Sequence, residues 1–407
     1  LMNIKLSPRL KGIEMKALIG ITLLLFTFSA SSSNDITFWD TPQHGGNSFN
    51  RLPPTQAYYE ALRGYGATWV RLSYDKWKPA DRDFLMGNAD GYRTLQAADL
   101  ATLKASIRRA HAAGLKVVIT PLSLPGMRWS QNNHNQFDDR IWQDKKYWQE
   151  AALFWRDLAL ALKDEPGIVA WNLVNEPAPE KQGKISEQAS AEALKTWYQQ
   201  QANTARNLPE LYNQIIAAIR QVDATTPIMV DGGWYGSARG FSGWPAALND
   251  KRVLYSFHMY EPYEFTSAPN ARRKVPYEYP GMVTFGGKQV KWDAAAIDRW
   301  MSAPFVWAKQ HGVPANRVVA GEFGCVRTLQ GCKQWLSDVL TVLDKHNAHW
   351  AFYSFREDAW DAMDYELGKK SVPWSYWKAI DDNTPDTLER HSTEEFEPIS
   401  RRLKQSL

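Results

Sequence analysis

Eight short apolar runs separated by helical stretches restrict the fold of this chain more than any other feature. The runs occupy residues 36–39, 68–73, 116–120, 168–174, 228–230, 253–257, 318–320 and 350–355. Between them, Leu100, Leu103, Ile107 and Ala110 share one helical face that Gly114 terminates. Ala151, Trp155, Leu158 and Leu162 form a stripe along residues 145–163, and Leu211, Ile215, Ala218 and Val222 form another. Leu336, Val339, Leu340 and Leu343 mark a further helix. Apolar positions at this spacing belong to helices with one buried face. Residues 54–64 and 293–310 also read as helical, the second interrupted at Pro304. Strands alternating with helices imply a parallel sheet covered by helices. Eight such units within residues 33–407 fit a single-domain (β/α)8 barrel better than an open doubly wound sheet. No Gly-rich phosphate loop follows the first run, which argues against a dinucleotide fold.

Residues 1–32 are expected to be a signal peptide rather than fold. Lys5, Arg9, Lys11 and Lys16 precede the apolar stretch 17–26, and small residues follow at 29–33. That order is a basic segment, a short hydrophobic segment and a cleavage zone, with Met15 equally able to serve as a start. The stretch is shorter than the roughly 20 apolar residues a membrane span needs. Cleavage would remove four basic residues and Glu14, taking the net charge from +4 to 4 − 3 = +1. A mature chain without basic excess is a poor partner for nucleic acid or for anionic membranes. A secreted or periplasmic protein, acting as a monomer, is expected. In that setting Cys325 and Cys332 read as one local disulfide, with two free thiols as the alternative.

Chemistry concentrates at two strand ends. The run 168–174 stops at Asn175-Glu176-Pro177, and the run 318–320 stops at Gly321-Glu322-Phe323-Gly324. In a barrel, strand ends face the catalytic mouth, so these two glutamates would meet across it. A pair of carboxylates is what glycoside hydrolysis requires, one to protonate the leaving oxygen and one to attack or to activate water. Long loops follow the fourth, sixth and eighth runs, at residues 179–207, 261–291 and 356–371, and would rise around the same mouth. The chain also carries 19 tryptophans; most must be core, but so many favour a surface that stacks flat ligands such as sugar rings. Trp39, Trp129, Trp234, Tyr263 and Trp360 lie in or beside strand ends and are candidate stacking platforms. Arg356, Glu357, Asp358, Asp361 and Asp364 would either bond hydroxyls beside Trp360 or form a solvated loop. The eight histidines show no His-Glu-x-x-His spacing, so neither a metal nor another cofactor is expected.

With these residues in place, the chain resembles glycoside hydrolase family 5 over nearly all of the expected mature sequence. The resemblance implies that Glu176 is the acid/base, that Asn175 bonds the sugar 2-hydroxyl, and that Glu322 is the nucleophile. It implies that Arg71 keeps the nucleophile ionised, and that His258 and Tyr260 form the His-x-Tyr after strand six, with Tyr260 on Glu322. It also implies carboxylates roughly 5 Å apart and retention of configuration. The chain departs from the family twice. Residues 120–126 hold no histidine, and the tryptophan that floors the reactive subsite is replaced by Tyr353, or else by Phe355. The expected function is a retaining endo-β-1,4-glycanase on a neutral polysaccharide, endoglucanase (cellulase) first. A β-mannanase, an exo-acting β-glycosidase, and a catalytically weak carbohydrate-binding barrel are the alternatives.

Overall fold

Eight strands, each paired in parallel with its neighbours in sequence, close into a barrel when the last pairs with the first. The structure is a computed structural model describing residues 36–384 and 388–406. The strands are β1 His44–Ser48, β2 Trp69–Leu72, β3 Lys116–Ile119, β4 Ile168–Asn172, β5 Ile228–Asp231, β6 Val253–Met259, β7 Val318–Phe323 and β8 His349–Phe352. Long helices follow most of them, including Ala97–Ala112, Lys146–Leu162, Leu208–Arg220 and Cys332–Lys345. The stripe read from the sequence is buried in each, as with Ala151, Trp155, Leu158 and Leu162. Fully burying one aliphatic side chain of this kind contributes about 1.5–3 kcal/mol. The signal peptide expected at residues 1–32 lies outside the described residues. Among the described residues, no helix is long and apolar enough to cross a membrane.

The first strand is not where the apolar pattern put it. Residues Ile36–Asp40 form a 3-10 turn, and β1 is His44-Gly45-Gly46-Asn47-Ser48. Its glycines are steric: a Cβ on Gly45 would run into the Trp69 carbonyl, and one on Gly46 would meet the Phe352 ring at 3.1 Å. The turn is apolar because it plugs the bottom of the barrel. Trp39 is fully buried there with Trp69, Val118, Met229 and Leu254, and its indole N–H donates to the Val169 carbonyl at 3.0 Å. Trp39 is therefore a core residue at the end opposite the mouth, and its expected role as a sugar platform is corrected.

Three further differences bear on the loops. Pro304 does not interrupt a helix; it sits in the first turn of a second one, Ala303–Gln310, after Ala294–Met301 has ended. The loop after β6 contains an antiparallel hairpin, Gly281–Phe285 with Lys288–Trp292. The C-terminal helix Glu397–Lys404 buries Pro398, Ile399, Arg402 and Leu403, with Arg402 on Asp344 at 2.7 Å, so it belongs to the barrel wall.

Cys325 and Cys332 are bonded, with Cα atoms 5.8 Å apart, and pin the chain just after β7. Closing so short a loop is worth about 2–3 kcal/mol in the chain-entropy model. Replacing both by serine is expected to lower the denaturant midpoint accordingly at unchanged slope. An unmoved midpoint would mean that the loop is held without the bridge.

Candidate active site

Glu322 reaches its position through a break in strand pairing. Along β6 and β7, Phe257 faces Ala320 but His258 faces Glu322, so Gly321 is the extra residue of a bulge. A Cβ at Gly321 would press on Ser256 Oγ and stand 3.3 Å from His258 Nε2, so only glycine fits. Asn47 of β1 holds the bulge by donating to the Gly321 carbonyl at 2.9 Å. Both Glu322 oxygens are then occupied. Arg71 Nη1 donates to Oε1 at 2.5 Å and the Tyr260 hydroxyl donates to Oε2 at 2.6 Å.

Glu176, four residues beyond the end of β4, has φ +48°, a left-handed conformation that costs a side-chain-bearing residue on the order of 1–3 kcal/mol. Asp231, at the end of β5, offsets that cost by accepting the Glu176 backbone N–H at 3.1 Å. The Glu176 side chain is about one third exposed, with Oε1 2.8 Å from His258 Nδ1. An oxygen of Glu176, one of Glu322 and a His258 ring nitrogen all lie within 4.8 Å of one another. That carboxylate spacing belongs to retaining glycosidases, since inverting pairs stand about 6.5–9.5 Å apart to admit a water.

Arg71 organises the rest. It is fully buried, and besides Glu322 it donates through Nε to Asn172 at 2.8 Å and through Nη2 to Asn175 Oδ1 at 2.8 Å. With Oδ1 so engaged, the Asn175 amide presents its N–H groups to the cleft. Asp231 Oδ2 lies 3.4 Å from Arg71 and 3.3 Å from His258 Nε2, while Oδ1 accepts from Asn172 at 3.0 Å.

The electrostatics follow from this packing. Burial, and next the negative charge of Glu322, raise the Glu176 pKa above the ordinary carboxylate range, while His258 pulls it down. Burial opposes charge on His258, but Glu322 and Asp231 outweigh it and push its pKa up to about 10. For Asp231 burial is likewise outweighed, by His258 and Arg71, and its pKa falls to about 2. Glu176, His258 and Glu322 converge closely enough to hold a metal, and both ring nitrogens of His258 face carboxylates, Nδ1 toward Glu176 and Nε2 toward Asp231.

All six residues expected in the reacting group, Arg71, Asn175, Glu176, His258, Tyr260 and Glu322, meet at the C-terminal end of the barrel. The aromatic candidates divide. Trp129, Tyr263, Tyr353 and Trp360 line a lobe of about 540 Å³ together with both carboxylates. Phe355 is buried against Tyr58 in the core. Trp234 does not line the cleft; its backbone N–H is tied to buried Glu180 at 3.1 Å, and its neighbour Tyr235 faces the opening instead.

The two departures from the family pattern have local explanations. In the segment after β3 that lacks the family's histidine, buried Asp75 accepts the backbone N–H groups of Leu122 and Ser123 at 2.7 and 2.9 Å. Ser123 Oγ in turn accepts the N–H of Trp129 at 2.9 Å, bringing that residue to the cleft. The Tyr353 hydroxyl donates to Glu357 at 2.6 Å, and Lys76 holds the other Glu357 oxygen at 2.6 Å. The acidic loop after β8 is thus neither solvated nor wholly in the cleft. Glu357 lines the large lobe, while Arg356 pairs with Glu366, Asp361 with Arg327 and Asp364 with Arg390. Asp358 accepts from the backbone of Arg51 and Leu52.

Asp231, Asn172 and Asn47 were missed from the sequence. Asp231 carried a usable signal, an apolar run ending at a carboxylate before Gly232-Gly233, the pattern already seen at Glu176 and Glu322.

A closed parallel barrel with two held glutamates, an oxygen of each within 4.8 Å of the other, at its C-terminal end defines a barrel glycoside hydrolase. The comparisons agree: the cellulase model of glycosyl hydrolase family 5 matches residues 30–359. The chain belongs to that family. It is 24% identical over 333 residues to an Aspergillus fumigatus protein named "Probable glucan 1,3-beta-glucosidase A", covering 76% of this chain and 72% of that one. It is 23% identical over 178 residues to endoglucanase C of Acetivibrio thermocellus, covering 39% of this chain and 50% of the relative. Among solved structures, endoglucanase Cel5A of Thermotoga maritima superposes with TM-score 0.57 at 16% identity, over 82% of this chain and 93% of that one. Another, described as a glycoside hydrolase, reaches 0.62 at 19% identity, over 88% and 99%. At such identities the structural likeness speaks for the fold.

Proposed function

We propose that the chain is a retaining endo-β-glycanase that cleaves a neutral β-1,4-linked glucan, with Glu176 as acid/base and Glu322 as nucleophile. The observation that carries the proposal is the carboxylate pair with an oxygen of each within 4.8 Å of the other, one member bonded through both oxygens and the other open to the cleft. Glu322 attacks the anomeric carbon as Glu176 gives its proton to the departing oxygen, so the glycosidic bond breaks and a glycosyl ester forms. Esterification removes the Glu322 charge that raises the Glu176 pKa, and Glu176 turns from acid to base. It then takes a proton from the water that releases the sugar with its original configuration. Asn175 N–H groups are placed to bond the 2-hydroxyl, and Trp129, Tyr263, Tyr353 and Trp360 to stack the ring faces.

Glucan is favoured because the named relatives include a glucan glucosidase and an endoglucanase. The test is a panel of soluble β-1,4-glucan, β-1,3-glucan, mannan, xylan and xyloglucan assayed for new reducing ends. β-1,4-Glucan should be hydrolysed fastest, to a spread of oligomers. Mannan as the best substrate would overturn the glucan assignment. An exo-acting reading has one observation in its favour, the Lys76–Glu357 pair that joins the loops after β2 and β8 beside the large lobe. A single small sugar as the early product would select it. Export is proposed on the leader-like residues 1–32, and N-terminal sequencing of the protein from the culture fluid or periplasm should begin near residue 33. A mature protein that starts at the first residues would refute it.

A further inference from the structure

A second hollow lies outside the catalytic cleft and shares no lining residue with it. Its volume is about 350 Å³, within the roughly 300–1,000 Å³ typical of small-molecule sites. Three aromatic rings wall it. Phe285 and Trp292 come from the two strands of the hairpin after β6, and Trp300 from the helix Ala294–Met301 that follows. Their centroids stand 5.2, 5.4 and 6.0 Å apart, and all three pairs meet edge to face. Trp292 is 3% exposed, and its indole N–H has no partner among the described residues. The Trp300 N–H is buried and equally unpaired, which is uncommon for such a donor. Two cations complete the lining. Arg239, half-buried in the loop after β5, gives Nη1 and Nη2 to the carbonyls of Glu187 and Ala189 at 2.6 Å each. That leaves three of the five guanidinium N–H groups to spare. Arg299 is exposed on the same helix as Trp300. Among the described residues, no carboxylate stands within ion-pair distance of either arginine. Burial pulls the Arg239 pKa below the usual arginine range, against the opposing field of Glu187.

The chemistry of this lining is one-sided. Its polar side-chain groups, two indoles and two guanidiniums, all donate hydrogen bonds, and the rest is Phe285, Val290 and alanine. A sugar hydroxyl donates as well as accepts, so a neutral pyranose would find no side-chain acceptor here. A carboxylate only accepts, and its charge is tolerated in a half-buried place when cations hold it. We propose that the hollow binds a small aromatic carboxylate, its ring among Phe285, Trp292 and Trp300 and its carboxylate on Arg239 and Arg299. The ring extends the edge-to-face packing already present, and the unpaired indole N–H groups add donors. The hairpin tip also closes on the loop after β4, since a Cβ on Gly286 would stand 3.2 Å from Gln188. An occupant would therefore tie together the loops after β4, β5 and β6 that rise around the mouth.

The test uses cinnamate, with cinnamamide as its neutral counterpart and glucuronate as a carboxylate on a sugar ring. In nuclear magnetic resonance spectra of the chain with isotope-labelled indole nitrogens, cinnamate should move two N–H signals. They should be the two that disappear in Trp292→Phe and Trp300→Phe. Cinnamate should bind with Kd of about 1 mM or tighter. Cinnamamide and glucuronate should bind about fivefold more weakly or worse, the first lacking the charge and the second the flat apolar ring. Arg299→Met should weaken cinnamate about threefold and leave cinnamamide unchanged. If neither indole signal moves at about 10 mM cinnamate, the site is overturned. Equal binding of acid and amide would overturn the carboxylate, and glucuronate binding as tightly as cinnamate would overturn the aromatic ring. Arg299 is exposed and Trp300 only half-buried, so their variants should keep the parent's thermal midpoint. These two decide the matter even if Trp292→Phe does not fold.

Discussion

Glu322→Ala should lower turnover of soluble β-glucan by about 10⁴-fold or more, the scale on which single members of a coupled catalytic unit act. The structure makes this a clean experiment. The carboxylate removed is nearly buried, but its partner Arg71 keeps Asp231, Asn47, Asn172 and Asn175, so no cation is left stranded in the barrel. The variant should fold, shown by an unchanged circular dichroism spectrum, and should still bind cello-oligosaccharides. Full hydrolysis by Glu322→Ala of every soluble β-glycan tested would sink the mechanism. A wild type that binds oligosaccharides but releases no product with retained configuration would point to the carbohydrate-binding alternative.

Glu176→Gln should behave differently, because an acid matters most where the leaving group needs a proton. On glucan the loss should be about 10²- to 10⁴-fold. On an aryl glycoside with an acidic phenol the first step should be almost spared, and the glycosyl-enzyme should accumulate because its hydrolysis lacks a base. The pH profile gives an independent check. Glu176 must be protonated to act, and its pKa is raised by burial and by Glu322. The wild-type rate should therefore fall as pH rises through a value above the ordinary carboxylate range, and that alkaline limb should vanish in Glu176→Gln. Removing the His258 cation, which lowers the Glu176 pKa, should move the limb to higher pH. A limb that persists in Glu176→Gln would assign it to another group.

The reacting group was legible because its chemistry and its architecture leave the same mark. A buried strand that ends abruptly at a carboxylate stands out, and Glu176 and Glu322 do so in barrel order. The helices were legible from their stripes. The first strand was not, because steric room beside Trp69 and Phe352 selected Gly45 and Gly46 and left β1 without an apolar pattern. The apolar run that did show, residues 36–39, was a plug, and burial alone does not separate a plug from a strand. Trp234 and Tyr235 illustrate a finer limit. Which of two adjacent aromatics faces the cleft depends on two positive φ angles and on Glu180, none of which the spacing records. The loop after β8 was ambiguous for a related reason. Its charges are matched by Arg327, Arg390 and Glu366, partners that only the folded chain brings near.

The bulge at Gly321 has a consequence for anyone moving this chemistry elsewhere. If β7 paired regularly with β6 beyond Ala320, His258 would stand opposite Gly321 and Glu322 opposite Met259. The nucleophile would then sit one register position away from the imidazolium, with its side chain turned toward the other face of the sheet. Copying the six side chains onto an unbulged barrel strand would reproduce the composition of the centre and misplace its attacking oxygen. The transferable unit is the irregular backbone together with Asn47, which holds it.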